Sequence, residues 1–496
     1  MIMTGFKQFP SMHPVTLILL ACLMVPVAAK ASDPLTFRET RTGFSDAASF
    51  GFSPEASGEQ NTKALQHAVE HGGTVVVSGC GTYRIAGTIY LGSNTTLKFG
   101  NGVFLKKDWE MGPFSHVFVN RGAATRTWDE HIVIEGLQLL VNEVDFRTFW
   151  EAYGLHGQIA FFYARDVRIK GFRCLDLGTQ QYAIQACTFE DLLVEDAVIK
   201  GKKDGIHLGR GKRFTIRDCV FETFDDAVAL NGHDYSTGNP ELGWIEDGVV
   251  ENCTDLAAEK ATGYFCRILA GAWLDWKEGM EVQQSDTVAA GGRLYRVQAK
   301  PDGKVYKSLT KPSHAKGSVV LDGIPWGVVQ DDVTLAAGVR NVVFRDIFLH
   351  KKRTSFSVHF DNDRYSRSYY PGAEVPVQRN LLFENIRILH GGDRVPLLNI
   401  ATPVDSIVIS NSGIGDDPIR FVSNRAMKDY GRTSITMIGC TFGHPGANTP
   451  VVNDVPGKRI DFKTFASTVL PAEFTASVVS GAGTITVDSD LPGLKR

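Results

Sequence analysis

The sequence predicts an all-β chain wound as a parallel solenoid, closed near its N-terminus by one helix and interrupted by a small antiparallel insertion. Three observations predict it. A short phrase of alternating apolar residues followed by Asp or Asn recurs as DVRIKGF at 166, DGVVENC at 247, NVVFRDI at 341, NLLFENI at 380 and SIVISNS at 406. Two stretches repeat at an offset of 22 residues: Asp204-Gly-Ile-His-Leu208 matches Asp226-Ala-Val-Ala-Leu230, and Asp191-Leu-Leu-Val-Glu-Asp196 matches Arg213-Phe-Thr-Ile-Arg-Asp218. No amphipathic helix lies between the phrases. Period-two burial punctuated by Gly, Asn and Asp marks short strands. Strands that repeat without intervening helices suit coils stacked on their neighbours, whereas a sandwich would need paired hairpin turns and inverted phrases.

Taken in order, residues 1–31 carry Lys7 in a polar lead, an apolar run from Val15 to Ala29 and the small-residue site Ala29-Lys30-Ala31. This pattern predicts a secretory signal peptide. The run is short for a membrane span, so the expectation is a secreted or periplasmic protein with no stable membrane insertion after signal removal. Residues 32–272 form the first part of the solenoid. Within them NTKALQHAVEH, from Asn61, predicts a helix with an Asn or Thr cap and Ala64, Leu65, Ala68 and Val69 on the face that covers the first coil. Residues 273–330, rich in Trp, Tyr, Gly and Lys, predict a small β-domain of antiparallel strands around AAGGRLYRV. Residues 331–496 resume the solenoid and cap its C-terminal end. Seven cysteines outside the signal, odd in number and without a CxxC pair, predict buried thiols rather than a disulfide framework. A net charge of -3 provides no basic field, which argues against nucleic acid as a partner.

Stacking gives the aspartates their meaning. Residues one period apart lie on neighbouring strands about 4.8 Å apart, so Asp204 and Asp226 are expected side by side, with Asp225 adding a third carboxyl group. Ile206, Leu208, Val228 and Leu230 share the interior parity. Gly205, His207, Gly209, Ala227, Ala229 and Asn231 face outward and are mostly small, leaving room for a ligand. Crowded carboxylates raise one another's pKa, so one of them is expected to stay protonated near neutrality. A proton donor beside an acceptor is what glycoside hydrolysis requires. The preference of Asp for turns can account for Asp166, Asp191 and Asp204, but not for the adjacent pair Asp225-Asp226 stacked over it. Further candidates for substrate contact are Lys203, His207, His233, and His359 with Asp361 on a later coil. Trp150 lies in the repeat-breaking stretch 142–157, where the aromatic residues form either a sugar-stacking wall or the packing of a long loop. Neither a cofactor nor a metal is expected.

These residues carry a family resemblance. The chain resembles the polygalacturonase-like glycoside hydrolases of family 28, in the pectin-lyase-type class of right-handed parallel β-helices. The family's Asn-Thr-Asp-Gly, the Asp-Asp one coil later and Arg-Ile-Lys correspond here to Lys202-Lys203-Asp204-Gly205, Asp225-Asp226 and Cys266-Arg267-Ile268-Leu269. Residues 73–105 are similar to the family's first coils. The resemblance implies that Asp204, Asp225 and Asp226 share the acid and base work. Asp225 or Asp226 would protonate the leaving oxygen, and the reaction would invert the anomeric centre. Arg267 would bind a polysaccharide or oligosaccharide, with an acidic, pectin-like glycan as one candidate. The chain departs from the pattern at Lys202-Lys203 and Leu269, and it has no Gly-His-Gly. Stacked carboxylates about 5 Å apart also match the retaining geometry more closely than the inverting one. The insertion resembles compact carbohydrate-binding modules, against the alternative that its aromatics form its own core. Two other functions compete with hydrolysis: a lyase using Lys202, Lys203, Arg210 or Arg267, often with Ca²⁺, and a non-catalytic carbohydrate-binding β-helix.

Overall fold

The computed structural model describes residues 43–146, 154–234, 238–256, 258, 260–300, 302–350, 353–361, 366–389, 395–415, 419–422, 431–443, 451–470 and 481–491. The signal-peptide expectation for 1–31 and the candidate Trp150 lie outside these residues. No helix among the described residues is long and apolar enough to cross a membrane.

Each coil contributes strands to three parallel ladders. One ladder runs through Ile89–Leu91, Phe118–Asn120, Ile206–Leu208, Val228–Asn231, Cys266–Leu269, Phe356–His359 and Leu398–Ile400. A second includes Thr95–Phe99, Asp129–Glu135, Gly211–Arg217 and Arg432–Ile438. A third includes Gly81–Ile85, Val103–Lys107, Gln138–Leu140, Arg173–Leu177 and Val198–Gly201. The fold is an all-β parallel β-helix, right-handed as parallel crossovers are.

Two features of the repeated phrase generate this coil. Its apolar positions stack in register down the interior: Leu97, Ile134, Ile169, Val194, Ile216, Val250 and Phe344 are partners on successive coils and fully buried. Its Asp and Asn residues turn the corners. Asp166, Asp191, Asp247, Asn341 and Asn380 enter the second ladder with φ between 48° and 57°. Asp196, Asp218, Asn252, Asp346 and Asn385 leave it in the same left-handed conformation, which short polar side chains tolerate best after glycine. Several of these corners also hydrogen-bond down the stack, Asn341 Nδ2 donating to Asp247 Oδ1 at 3.0 Å and Asn380 Nδ2 to Asn341 Oδ1 at 2.7 Å.

The capping helix spans Gly58–Glu70, and Ala64, Leu65, Ala68 and Val69 are its buried face. It starts before the expected Asn or Thr cap. Ser57 is the N-cap, paired with Gln60 in a reciprocal capping box. Asn61 is instead buried within the helix, exchanging two 2.9 Å hydrogen bonds with the backbone of Ser53. The helix is fastened to the first coil through Gln66 Oε1, which accepts from the Tyr90 amide at 2.8 Å. Six of the seven cysteines are buried and unpaired, while Cys80 is exposed.

Residues 274–330 build two sheets of their own. Leu274–Asp275, Thr287–Ala290, Arg293–Val297, Ile324–Gln330 and Ser318–Leu321 make the larger, and Met280–Val282 pairs with Tyr306–Ser308 in the smaller. Gly291 and Gly292, both at positive φ, make the tight turn between Thr287–Ala290 and Arg293–Val297. Trp326 and Tyr295 are fully buried in the core of this unit with Val282, Val288, Val297 and Ile324. The chain leaves the helix at Gly271–Ala272 and re-enters at Ala336–Leu349, and these two ends pair antiparallel.

Candidate active site

Asp204, Asp226 and Tyr264 occupy equivalent places on three successive coils. The Gly205 amide donates to Asp226 O at 2.9 Å, and the Ala227 amide to Tyr264 O at 2.9 Å. Asp225 precedes Asp226 in the same turn. One oxygen from each of Asp204, Asp225 and Asp226 lies within 4.8 Å of the others. None of the three has the left-handed backbone of the corner aspartates, so turn chemistry does not explain their presence.

The turn is pinned from beneath. Arg353, buried, donates to Thr223 O at 3.1 Å and Asp225 O at 2.7 Å while pairing with Asp255 Oδ1 at 2.9 Å. From the next coil the Tyr264 amide donates to Asp226 Oδ1 at 2.8 Å. Gly263 permits this approach. A Cβ there would lie 2.4 Å from the Asp225 carbonyl carbon and 2.5 Å from the Asp226 nitrogen.

The three acids differ in charge because their partners differ. Burial pushes Asp204 up, but Lys203 and a hydrogen bond with His207 outweigh it and hold the carboxyl group below the usual range. His207 Nδ1 lies 2.8 Å from Asp204 Oδ2, and Lys203 Nζ 3.6 Å from Asp204 Oδ1. Asp225 is raised by burial and then by the charge of Asp204, against the contact it makes with Lys203 Nζ. Asp226 is raised well above the usual range by burial, then by Asp225 and Asp204, with Arg267 and the Tyr264 amide opposing. Lys203 Nζ thus lies against both Asp204 and Asp225, and the oxygens of the three acids are close enough together to hold a metal ion. Access differs as well: the Asp225 side chain is 28% exposed, against 5% for Asp204 and 1% for Asp226.

Lys203, Tyr264, Arg267 and His359, around the trio, are all partly exposed. Arg267 Nη2 contacts both carboxylate oxygens of Asp361 at 2.7 Å, and its Nη1 lies 4.0 Å from Asp226 Oδ2. His359 Nε2 is 3.4 Å from Asp361 Oδ1, its Nδ1 is 2.9 Å from Ser357 Oγ, and its ring is 5.9 Å from that of Tyr264. Arg267, His359 and Asp361 therefore form one cluster next to the trio.

The outward face beyond the acids does not have the room expected of it. His207, Ala229 and Asn231 are as buried as the interior residues. Residues 231–234 and 238–243 fold over this face, and the insertion holds them there. A Cβ at Gly209 would meet Cys187 Sγ at 2.8 Å and Asn239 Oδ1 at 3.0 Å, so the small residues make room for protein rather than for a ligand. His207 lies beneath this cover and His233 within it, both 1% exposed, and neither is on an open surface. His233 is pushed down to about 3 by burial and then by Arg296. Sequence reasoning did not single out Tyr264, Asp234, Tyr182 or Arg353. Tyr264 and Arg353 lie 38 and 128 residues from the partners they hold, beyond the reach of a 22-residue period.

No family model matches the chain, and no curated protein matches it. Among solved structures it is similar to the A-module of the mannuronan C-5 epimerase AlgE4 from Azotobacter vinelandii (12% identity over 90% of this chain and 100% of that one, TM-score 0.49). It is also similar to the catalytic unit of a thermostable GH87 α-1,3-glucanase from Streptomyces thermodiastaticus (14% over 92% and 69%, TM-score 0.48) and to an exopolygalacturonase from Thermotoga maritima (10% over 91% and 92%, TM-score 0.38).

Proposed function

We propose that the chain is an exported glycoside hydrolase that cleaves a polysaccharide or oligosaccharide with Asp204, Asp225 and Asp226 as its acid and base groups. One observation carries this reading: three stacked carboxyl groups within 4.8 Å are driven apart in proton affinity, Asp204 down and Asp226 well up. Pairs of acids pushed in opposite directions are how one site supplies both a proton donor and a base. Asp225 or Asp226 protonates the leaving oxygen. Access favours Asp225 and proton affinity favours Asp226. Ionised Asp204 takes the proton of the attacking water.

A lyase would need an unpaired basic side chain to abstract a proton. Lys203 is held between Asp204 and Asp225, Arg210 by Glu241 and Asp332, and Arg267 by Asp361, which disfavours these three as the base and leaves exposed Lys202 for a lyase. The burial of Trp326 and Tyr295 in the insertion's own core speaks against those two rings as a glycan-binding surface.

Reducing-end release from a panel of neutral and acidic glycans tests the reading, with absorbance recorded for unsaturated uronate. Saturated product that disappears in Asp226→Asn supports it, and unsaturated product that survives the substitution overturns it. NMR of the first product anomer decides stereochemistry. Inversion follows from the family resemblance, whereas the short carboxyl separation follows the retaining pattern of about 5–5.5 Å rather than about 6.5–9.5 Å. Export is tested by sequencing the mature N-terminus, expected near Ser32.

A further inference from the structure

We propose that the insertion is a working part of the acid site: its Arg296 fastens the segment carrying Asp234, Asp234 contacts His207, and His207 fixes the charge of Asp204. The activity arm of this inference rests on the hydrolase reading above; the ionisation arm does not.

The chain of contacts is continuous and buried. Arg296, on the inserted strand Arg293–Val297, donates to Asp234 O at 3.0 Å and to Asn239 O at 2.8 Å. The insertion's Gln330 Oε1 accepts from the Leu242 amide at 2.8 Å, holding the other end of the same segment. Asp234 Oδ2 accepts from Asn231 Nδ2 at 3.1 Å and lies 3.1 Å from His207 Nε2 in an off-axis ion contact. His207 Nδ1 completes the line to Asp204 Oδ2 at 2.8 Å. Tyr182, from the coil before, stacks on the His207 ring at 4.1 Å and 7° from parallel, so the imidazole cannot swing away from either acid.

The chemistry of imidazole gives this geometry its meaning. A neutral ring has one N–H, and an ionised carboxylate only accepts. Carboxylate oxygens 2.8 Å from Nδ1 and 3.1 Å from Nε2 therefore favour the imidazolium form, through a hydrogen bond at Nδ1 and an ion contact without an aligned hydrogen bond at Nε2. The charged groups around His207 are Asp204 on its own coil, Lys203 over the Tyr182 ring, Asp234 from the covering segment, and Arg267 on a later coil acting on both acids. Burial pushes His207 down, but the two acids outweigh it and bring it up to about 9. With a cation fixed at this place, Asp204 stays ionised and the proton of the trio is left to Asp226 and Asp225. Without Asp234 the cation loses one of its two counter-charges, His207 deprotonates at lower pH, and Asp204 becomes a stronger proton acceptor.

The test uses the full chain with ¹⁵N-labelled histidine. In the wild type the His207 ring is expected to carry two protons at pH 7 and to lose one near pH 9. Asp234→Asn, which keeps the shape and an acceptor, is expected to lower the proton affinity of His207 tenfold or more. Arg296→Met should shift it in the same direction, and Arg296→Lys should restore it. A singly protonated His207 at pH 7 in the wild type overturns the proposal without any variant, and so does an unchanged titration in folded Asp234→Asn. In the activity arm, the acidic limb of the kcat/KM profile is expected to move to higher pH in Asp234→Asn. A limb that superimposes on the wild type, in an enzyme that turns over, overturns the proposal. If no glycan is hydrolysed while the histidine titration shifts as stated, the hydrolase reading fails and the brace stands.

Discussion

Two columns of stacked charges run along this β-helix, built on opposite rules. On the second ladder Lys98, Glu135, Lys170, Glu195, Arg217, Glu251, Arg345 and Glu384 are register partners on successive coils, alternating in sign at every step. Their side chains are paired at such distances as 3.0 Å for Lys170–Glu195 and 2.7 Å for Arg217 Nε–Glu195 Oε2. On the first ladder, residues of one sign, Asp204 and Asp226, occupy neighbouring coils and are buried. The same inter-strand spacing separates both sets. Alternation on a solvated face fixes register at small cost. Repetition of one sign among buried groups opposes folding, and the proposed acid and base role is the compensation offered for it.

The sharpest way to break this contrast is to neutralise one member of each column. Asp226→Asn is expected to lower turnover by about 10²–10⁴, the usual worth of a general acid or base, in a protein that melts no lower than the wild type at neutral pH. Equal loss of activity and stability would make the trio structural. The interior supplies the opposite profile: Ile216→Ala removes a fully buried side chain and should cost about 2–5 kcal/mol in denaturant unfolding, with kcat retained by the folded fraction. Gly263→Ala lies between the two. Its Cβ presses on the Asp225–Asp226 peptide and should cost about 1–3 kcal/mol together with part of the activity. Glu195→Gln, in the alternating column, should change stability by less than about 1 kcal/mol, and less still at high salt.

The pH dependence of stability separates the acids further. The carboxyl group of Asp226 binds its proton more tightly in the folded protein than its usual value of 3.8 allows. Its contribution is complete below 3.8 and is lost as pH rises through the folded value. Asp204 runs the other way, contributing above 3.8 and losing that contribution as pH falls through its depressed value. Thermal melting across pH should therefore show a decline above pH 4 that is flattened in Asp226→Asn.

The fold was legible because one phrase encodes both halves of the coil. Alternation in VRIKGF or VVFRDI marks the buried partners, and the flanking Asp and Asn mark corners that need a left-handed residue. The acid trio was legible because the period of 22 is unbroken between Asp204 and Asp226. What lies past the next turn was not. Arg267 meets Asp361 across 94 residues, with the insertion between them, so no spacing links them. The burial of His207 was equally hidden, since its cover comes from irregular segments and from a unit outside the repeat. The helix cap was misplaced because Asn61 reads as a cap in isolation, whereas Ser57 with Gln60 forms the reciprocal pair.

The place where the insertion departs has a consequence for assembly. The strand Trp244–Asp255 finds its next neighbour only at Ala336–Leu349, so a chain that coils from its N-terminal end holds an unsatisfied parallel edge while the intervening residues arrive. Such an edge is a template for pairing with another copy. A hairpin-rich unit closes on local contacts, faster than long-range pairing allows, and its two ends meet at Gly271–Ala272 and Ala336–Ala337. If the insertion closes first, its paired ends return the chain to the waiting edge in the correct direction.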